Sequence, residues 1–502
     1  MKKSKWKKWI IGTVIALFVI SLIPIRQTIK DGGSVGYSAL LYDYIDYHGM
    51  NGEGVENGRS VEYIKVGKEL YILGYLVYEN THIETIDGPD LLESDAQKPD
   101  AQPQTPDGQP QTPDDDGPTE STLLTGTSGT TPQTSAMDEK MRAAYADFAY
   151  KLFAMCAKED DNSLVSPFSV YTALAMLANG AEGETAEQIR VLLGLTESER
   201  NAYMAAWIAA LTGQSDIAFT CADSLWVQDR YQKKVKKTFL DACSDSFKAE
   251  VFAAAMDDGT VKDINAWVEK HTKGMIKEIF EPGDIDADVL MVLINAITFD
   301  AKWAISFPTE SVEQNALFNG EDGKHKIVEM MHGDADSVYL ENDYVYGCTK
   351  AYTGGKFRYV ALLPKEGMSL DEAIASLNGT TVDALFAGAI YGDEVSIALP
   401  KYECAYSKEL KDALRALGME DAFTARADFS NMFPTEPSYV DRVIHKTYMS
   451  LDSAGTKAAA VTAVTNRKLS AAIGKRSIRF DRPFIYMIVD ENNLPLFIGT
   501  YE

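Results

Sequence analysis

The five cysteines of this 502-residue chain, at positions 156, 221, 243, 348 and 404, never come close enough in sequence to form a CxxC pair. That spacing excludes the usual thiolate metal sites and a redox dithiol, and an odd, low count argues against a disulfide framework. The cysteines read instead as small buried hydrophobes. Six histidines are scattered, and neither HExxH nor GxSxG occurs. No zinc-hydrolase or nucleophile-elbow motif is therefore present, and nothing asks for a cofactor or a metal. Positive charge is also scarce: 48 Lys and Arg face 74 Asp and Glu, a formal net charge of −26. So acidic a chain lacks the basic patch that nucleic acid requires.

What is present is modular. Residues 1–8 carry Lys2, Lys3, Lys5, Lys7 and Lys8, and residues 9–25, WIIGTVIALFVISLIPI, carry no charge. Seventeen such residues suffice for a short membrane span, and the basic flank belongs in the cytoplasm with the remainder outside. A cleaved signal peptide and secretion is the alternative. It lacks a small-x-small cleavage site, and no Cys follows the apolar run for lipidation. Residues 27–88 read as a small β-rich unit, with strands at 61–66 and 70–78 and Gly52, Gly54 and Gly58 punctuating the segment before them. Its run DGGSVGYSALLYDYIDYH weakly resembles juxtamembrane segments of anchored proteins from Gram-positive bacteria. Residues 89–137 hold eight prolines and the near-repeat QPQTPDG, QPQTPDD. That composition cannot supply a core, and it reads as an extended linker.

From residue 138 a larger domain begins. Ser135 with Asp138 predicts a helix start, and Tyr145, Phe148, Leu152 and Met155 recur at helical spacing. Ser166–Pro167 is a cap followed by a first-turn proline, with Val170, Ala173, Leu174 and Leu177 behind it and Gly180 as a stop. Thr185 and Gln188 predict a capping box for a third helix, with Ile189, Leu192 and Leu193 on its buried side. Residues 290–299, LMVLINAITF, read as a strand buried on both faces, so Asn295 in its middle needs buried partners. Residues 359–363 predict a central strand. Val395, Ile397 and Leu399 alternate as for a strand with one wet face, and 484–489 with 496–500 predict a terminal hairpin. Helices early and strands late imply an α+β fold.

The chain is organised around residues 451–470, LDSAGTKAAAVTAVTNRKLS. Gly455, Thr456, Ala458, Ala459, Ala460, Val461 and Thr462 are nearly all small, and Val and Thr favour extended backbone. Such a segment reads as a mobile loop able to become a strand between two existing ones.

These landmarks together resemble the serpin family over residues 138–502. The segments that carry the likeness are NSLVSPFSVYTALAMLANGAEGETAEQI at 162–189, INAWVEKHTKGMI at 264–276, LINAITFDAKWAISF at 293–307 and FDRPFIYMIVDENNLPLFIG at 480–499. The resemblance implies a fold of three β-sheets and eight to nine helices with an exposed reactive loop at 453–472. It implies a monomeric, bacterial suicide inhibitor of serine proteases, and possible action on cysteine proteases, rather than an enzyme. Its site residues follow by matching. The hinge is Gly455 to Thr462. Ser166, Ser169, Asn295 and His445 form a polar cluster beneath the opening sheet, and Trp303 stands where insertion begins. Counting from Gly455 places the cleaved bond at Leu469–Ser470, suiting chymotrypsin-, elastase- or subtilisin-like proteases. Lys468 is the alternative, suiting trypsin-like ones, and counting back from Phe480 moves the bond toward Ala472. Ser453 and Ala454 stand where the family often has two acids before the hinge glycine. A non-inhibitory serpin serving as a binding or adhesion module is the other functional expectation.

Overall fold

A computed structural model describes residues 25–28, 35–38, 42–56, 59–72, 75–86, 121–126, 134–157, 162–212, 217–320, 323–336, 338–434, 438–456 and 475–502. The chain divides into two units, Met1–Thr112 and Pro113–Glu502. The first holds a five-stranded antiparallel sheet in sequence order: Ile25–Thr28, Val35–Ser38, Tyr42–Glu56, Arg59–Ile72 and Tyr75–Ile86. Its last two strands differ from the expected 61–66 and 70–78. Arg59–Ile72 is one strand running through 61–66, and the chain reverses inside 70–78, where Ile72 pairs with Tyr75 across two residues. Gly52 and Gly54 sit within a strand, next to a register shift between Met50 and Gly52, and do not break it. The run 9–25 lies outside the described residues, apart from Ile25. No described helix is long and apolar enough to cross a membrane.

The second unit has nine helices among the described residues and three sheets. Its first helix, α1 (Glu139–Ala157), starts one turn later than Ser135 suggests. Asp138 caps it by accepting from Met141 N at 2.9 Å, while Ser135 N donates to Ala202 O. In α2 (Pro167–Ala178) the cap is Ser166, whose Oγ accepts from Ser169 N, and Pro167 occupies the first turn as expected. All twelve residues of α2 are buried, so it is a central helix rather than an amphipathic one. The third helix, α3 (Gly183–Leu193), has Glu182 at its cap with no side-chain bond. The expected Thr185–Gln188 box is absent because both side chains bind another segment. Thr185 Oγ1 accepts from Asp428 N, and Gln188 Oε1 accepts from Glu420 N and Asp421 N.

The main sheet contains β1 (Thr122–Leu124), β2 (Ile217–Gln228), β3 (Glu250–Ala254), β4 (Met291–Lys302), β5 (Tyr402–Glu409), β6 (Arg442–Leu451) and β7 (Gly455–Thr456). Their order is β5-β6-β7-β4-β2-β3-β1, with β6 also paired directly to β4. Its two faces carry separate apolar cores. Trp226, Met256, Phe280, Val292 and Ile294 belong to one, and Phe168, Leu225, Leu293 and Ile297 to the other. This is why β4 reads as an unbroken apolar run: nine consecutive residues from Met291 are buried. A second sheet joins Val312–Asn319, His325–Asp334, Glu394–Pro400 and Lys475–Arg479. Its strand Glu394–Pro400 alternates only in its first half. Ala398 and Pro400 are buried too; residues 396–398 have a strand on each edge, whereas Leu399 and Pro400 pair only with Met331 and Met330. The third sheet contains Arg358–Pro364 and the hairpin Phe484–Val489 with Pro495–Tyr501, as predicted.

One strand falls inside the stretch expected to be linker. β1 pairs antiparallel with β3 through Thr122↔Ala253 and Leu124↔Val251, and Ser121 N donates to Asp263 Oδ2 at 2.8 Å. Three residues with available backbone donors can cover an otherwise open sheet edge even in a Pro-rich setting. A chain starting at residue 130 is therefore expected to melt a few degrees lower by scanning calorimetry, since a few ladder bonds at about 1 kcal/mol net each are lost. An unchanged midpoint would show that β1 adds nothing to the edge.

Candidate functional site

The site begins with a fact of chain direction. β4 and β6 lie side by side and run parallel, in register from Val292↔Arg442 to Thr298↔Tyr448. After Leu451 the chain turns and comes back as β7, antiparallel to both. Thr456 pairs with Leu451 on one side and Ala301 on the other, and Gly455 pairs with Lys302. β7 is thus a two-residue wedge in the upper end of the β4–β6 seam. A continuation beyond Thr456 down this seam would find ladder partners on both sides only where β4 and β6 part from each other.

The wedge fits closely. A Cβ on Gly455 would stand 2.2 Å from Ala301 O and 2.7 Å from Lys302 Cα, so no side chain is tolerated there without moving the strand. Thr456 is fully buried, and its Oγ1 lies 2.6 Å from the hydroxyl of Tyr352, itself buried. Tyr352 stacks on Trp303 with centroids 4.6 Å apart. Trp303 ties the turn down from beside it. Its Nε1 donates to Asp452 O at 3.0 Å and its backbone N to Ala454 O at 2.9 Å, while Phe307 N donates to Ser453 O at 2.9 Å. Lys350 lies over the Phe307 ring and donates to Asp334 O, and its burial lowers its pKa to about 8. The acids missing at 453 and 454 have a counterpart one residue earlier. Asp452 Oδ1 accepts from Ala454 N at 2.7 Å and Gly455 N at 3.1 Å, closing the turn.

Beneath the same seam lies the polar cluster. Asn295 of β4 and His445 of β6 are register partners, and Nδ1 of His445 lies 2.7 Å from Oδ1 of Asn295. Ser166 N, an obligate donor, points at His445 Nε2 at 3.0 Å, so Nε2 accepts and the ring proton sits on Nδ1. Burial keeps this imidazole neutral by lowering its pKa to about 3. Ser169 Oγ also donates to Asn295 Oδ1, and Ser166 Oγ donates to Leu496 O at 2.7 Å. The structure therefore brings Ser166, Ser169, Asn295 and His445 together, with α2 joined to both sides of the seam. Trp303 belongs to the wedge instead. Ala458, Ala459, Ala460, Val461, Thr462, Lys468, Leu469 and Ser470 lie outside the described residues.

Sequence reasoning missed four participants: Tyr352, Asp452, Asp223 and Cys221. Asp223 of β2 is the register partner of Asn295, and its Oδ1 accepts from Asn295 Nδ2 at 2.6 Å. An acid at an inward position of the β2 run FTCADSLWV, opposite Asn295, was the available signal. No group of His, Cys, Asp and Glu able to hold a metal occurs among the described residues.

A family model described as Serpin (serine protease inhibitor) matches residues 143–502. Ipis-1 of Ixodes persulcatus is 31% identical over 346 residues, 68% of this chain and 91% of its own. Alpha-1-antichymotrypsin of Homo sapiens is 29% identical over 377 residues, 72% of this chain and 87% of its own. Among solved structures, the thermophilic serpin Tengpin in the native state is similar, with a TM-score of 0.69 and 35% identity over 74% of this chain and 96% of that one. Tengpin in the latent state gives 0.63 and 34% over 74% and 99%.

Two outcomes follow from the geometry. Gly455→Ala is expected to expel the wedge and expose the 452–456 backbone, read as faster cleavage there in limited proteolysis; an unchanged rate would contradict the fit described. His445→Ala leaves Ser166 N and Asn295 Oδ1 each short of a partner, a loss of about 2–4 kcal/mol. The unfolded ring takes up a proton near pH 6.5 and the folded ring does not, so this contribution is whole above about 6.5 and is lost as pH falls toward 3. Urea midpoints of the two proteins should accordingly converge on acidification, and a constant gap would refute the neutral-ring account.

Proposed function

The chain belongs to the serpin family, and from that premise we propose that it is a suicide inhibitor of serine proteases, tethered to the outer face of a bacterial membrane by residues 9–25. The observation that carries the inhibitory reading is the wedge: Gly455–Thr456 already sits antiparallel between two parallel strands. Strand addition of the reactive loop is the device for which this family is itself the standing example.

In the proposed sequence of events the protease serine attacks the carbonyl carbon of Leu469. The bond to Ser470 N breaks, the proton passes to the departing amine, and residue 469 stays on the enzyme as an ester. Freed at that end, the segment after Thr456 enters the seam. Thr456 faces inward, so the alternation of a strand places Ala458, Ala460 and Thr462 on the same buried side. Those positions are small enough to pass beneath the sheet. Insertion gains on the order of a dozen ladder bonds at about 1 kcal/mol each, against an ordering cost of about 1–2 kcal/mol per residue. These terms nearly cancel, so the drive comes from apolar burial and from relief of a sheet held one strand short. Ser166, Ser169, Asn295 and His445 act as the lock on the seam, and Trp303 with Tyr352 as the seat of the hinge. Residues 89–137 would carry the domain clear of the membrane, with β1 as its point of attachment.

Mixing the protein with chymotrypsin-, subtilisin- and trypsin-type proteases and running a denaturing gel tests this reading. A stable covalent adduct is expected with at least one class, strongest with those preferring Leu, and the released fragment should begin at Ser470. Thr462→Arg should convert the inhibitor into a substrate, giving cleavage with little adduct. Cleavage of the wild type with no adduct from any class would favour the binding-module alternative.

A further inference from the structure

Asp223 is buried under the main sheet with no cation acting on it among the described residues. Each of its oxygens nonetheless has a hydrogen-bond partner. Oδ1 accepts from Asn295 Nδ2, and Oδ2 lies 3.6 Å from Cys221 Sγ. The first of these bonds fixes the Asn295 amide. With Nδ2 committed to Asp223, Oδ1 must face the seam, where it accepts from Ser169 and His445. One relay therefore runs from Cys221 through Asp223, Asn295 and His445 to Ser166 N. Its Asn295–His445 step spans the two strands that a new strand would separate. Asp223 touches no loop residue described; it acts through Asn295.

Resting on the proposed inhibitory reading, we propose that Asp223 is a pH-dependent release for the seam. As a neutral acid, with its proton on Oδ2 turned toward Cys221 Sγ, it accepts from Asn295 through Oδ1 and leaves the seam shut; ionised, it keeps that bond but puts a charge with no counter-ion beneath the sheet, which speeds opening. Burial is what raises its pKa, to about 7, and the bonds from Asn295 and Cys221 pull the other way. The surrounding groups do not titrate with it. Cys221 on β2 is pushed well above its ordinary value by burial, and so is Tyr145 on α1. His445 on β6 stays neutral down to about pH 3, and α2 presents the hydroxyls of Ser166 and Ser169. The sign is set by linkage. The unfolded carboxyl ionises near pH 4 and the folded one near 7, so the resting form loses stability as pH rises between these values and is level above.

The test compares melting midpoints of the intact wild type with Asp223→Asn and Asp223→Ser at about pH 5, 6, 7 and 8. The difference cancels the opposite contribution of His445 and of surface carboxylates. The variants should gain on the wild type from pH 5 to 7, by up to roughly tenfold in the unfolding equilibrium per pH unit, and the gap should then stay level. At pH 8 the Asn variant should also lose its protease-trapping capacity several-fold more slowly on storage. A pH-independent gap overturns the proposal while leaving adduct formation, and so the inhibitory reading, intact. If neither variant folds, infrared absorption of the unaltered protein decides. A protonated-carboxyl band at pH 5.5 that fades by pH 8 supports the release, and its absence at pH 5.5 overturns it. A wild type that forms no adduct fails the inhibitory reading alone, because the pH gap is still measurable.

Discussion

The parallel pairing of β4 with β6 is the constraint on which the rest depends. Two parallel neighbours cannot be joined by a tight turn, and here the chain that leaves β6 reverses into the gap above their paired portion. A strand continuing from Thr456 along that gap would keep the polarity of β7, antiparallel to both neighbours. Entry of such a strand would require the seven paired positions from Val292 to Thr298 to part. The barrier is local, and the side chains that cross it are few.

This explains why polar residues sit in the most apolar part of the molecule. Asn295, His445 and Asp223 are buried among Leu293, Ile297 and Leu225, where an apolar set would pack at lower desolvation cost. A polar relay differs from apolar packing in having two discrete arrangements, bonded across the seam or not. Such a contact gives way at one step rather than deforming gradually. The wedge at the top works in the same manner, with Gly455 admitted by a tolerance of less than one side chain and Thr456 held by Tyr352.

Much of this was legible in the sequence, and for physical reasons. An asparagine within LMVLINAITF and a Ser–Pro cap each have few explanations, and Ser166, Ser169, Asn295 and His445 do converge. What was not legible depended on tertiary register. Thr185 and Gln188 fit a capping box by spacing, yet their side chains serve the 420–428 segment. Thr122–Leu124 carries no strand signal of its own and pairs because β3 offers an open edge. Asp223 could be recognised only once β2 was placed opposite β4, and Tyr352 only once Trp303 was stacked on it.

The central claim is that the resting sheet can part to admit one more strand, and the most direct measurement is the thermal midpoint of the domain before and after a single cut within 457–474. If the freed segment fills the seam, the nicked protein melts far above the intact one. If both melt at the same temperature, the seam stays closed, and β7 is a structural turn rather than the leading edge of an insertion.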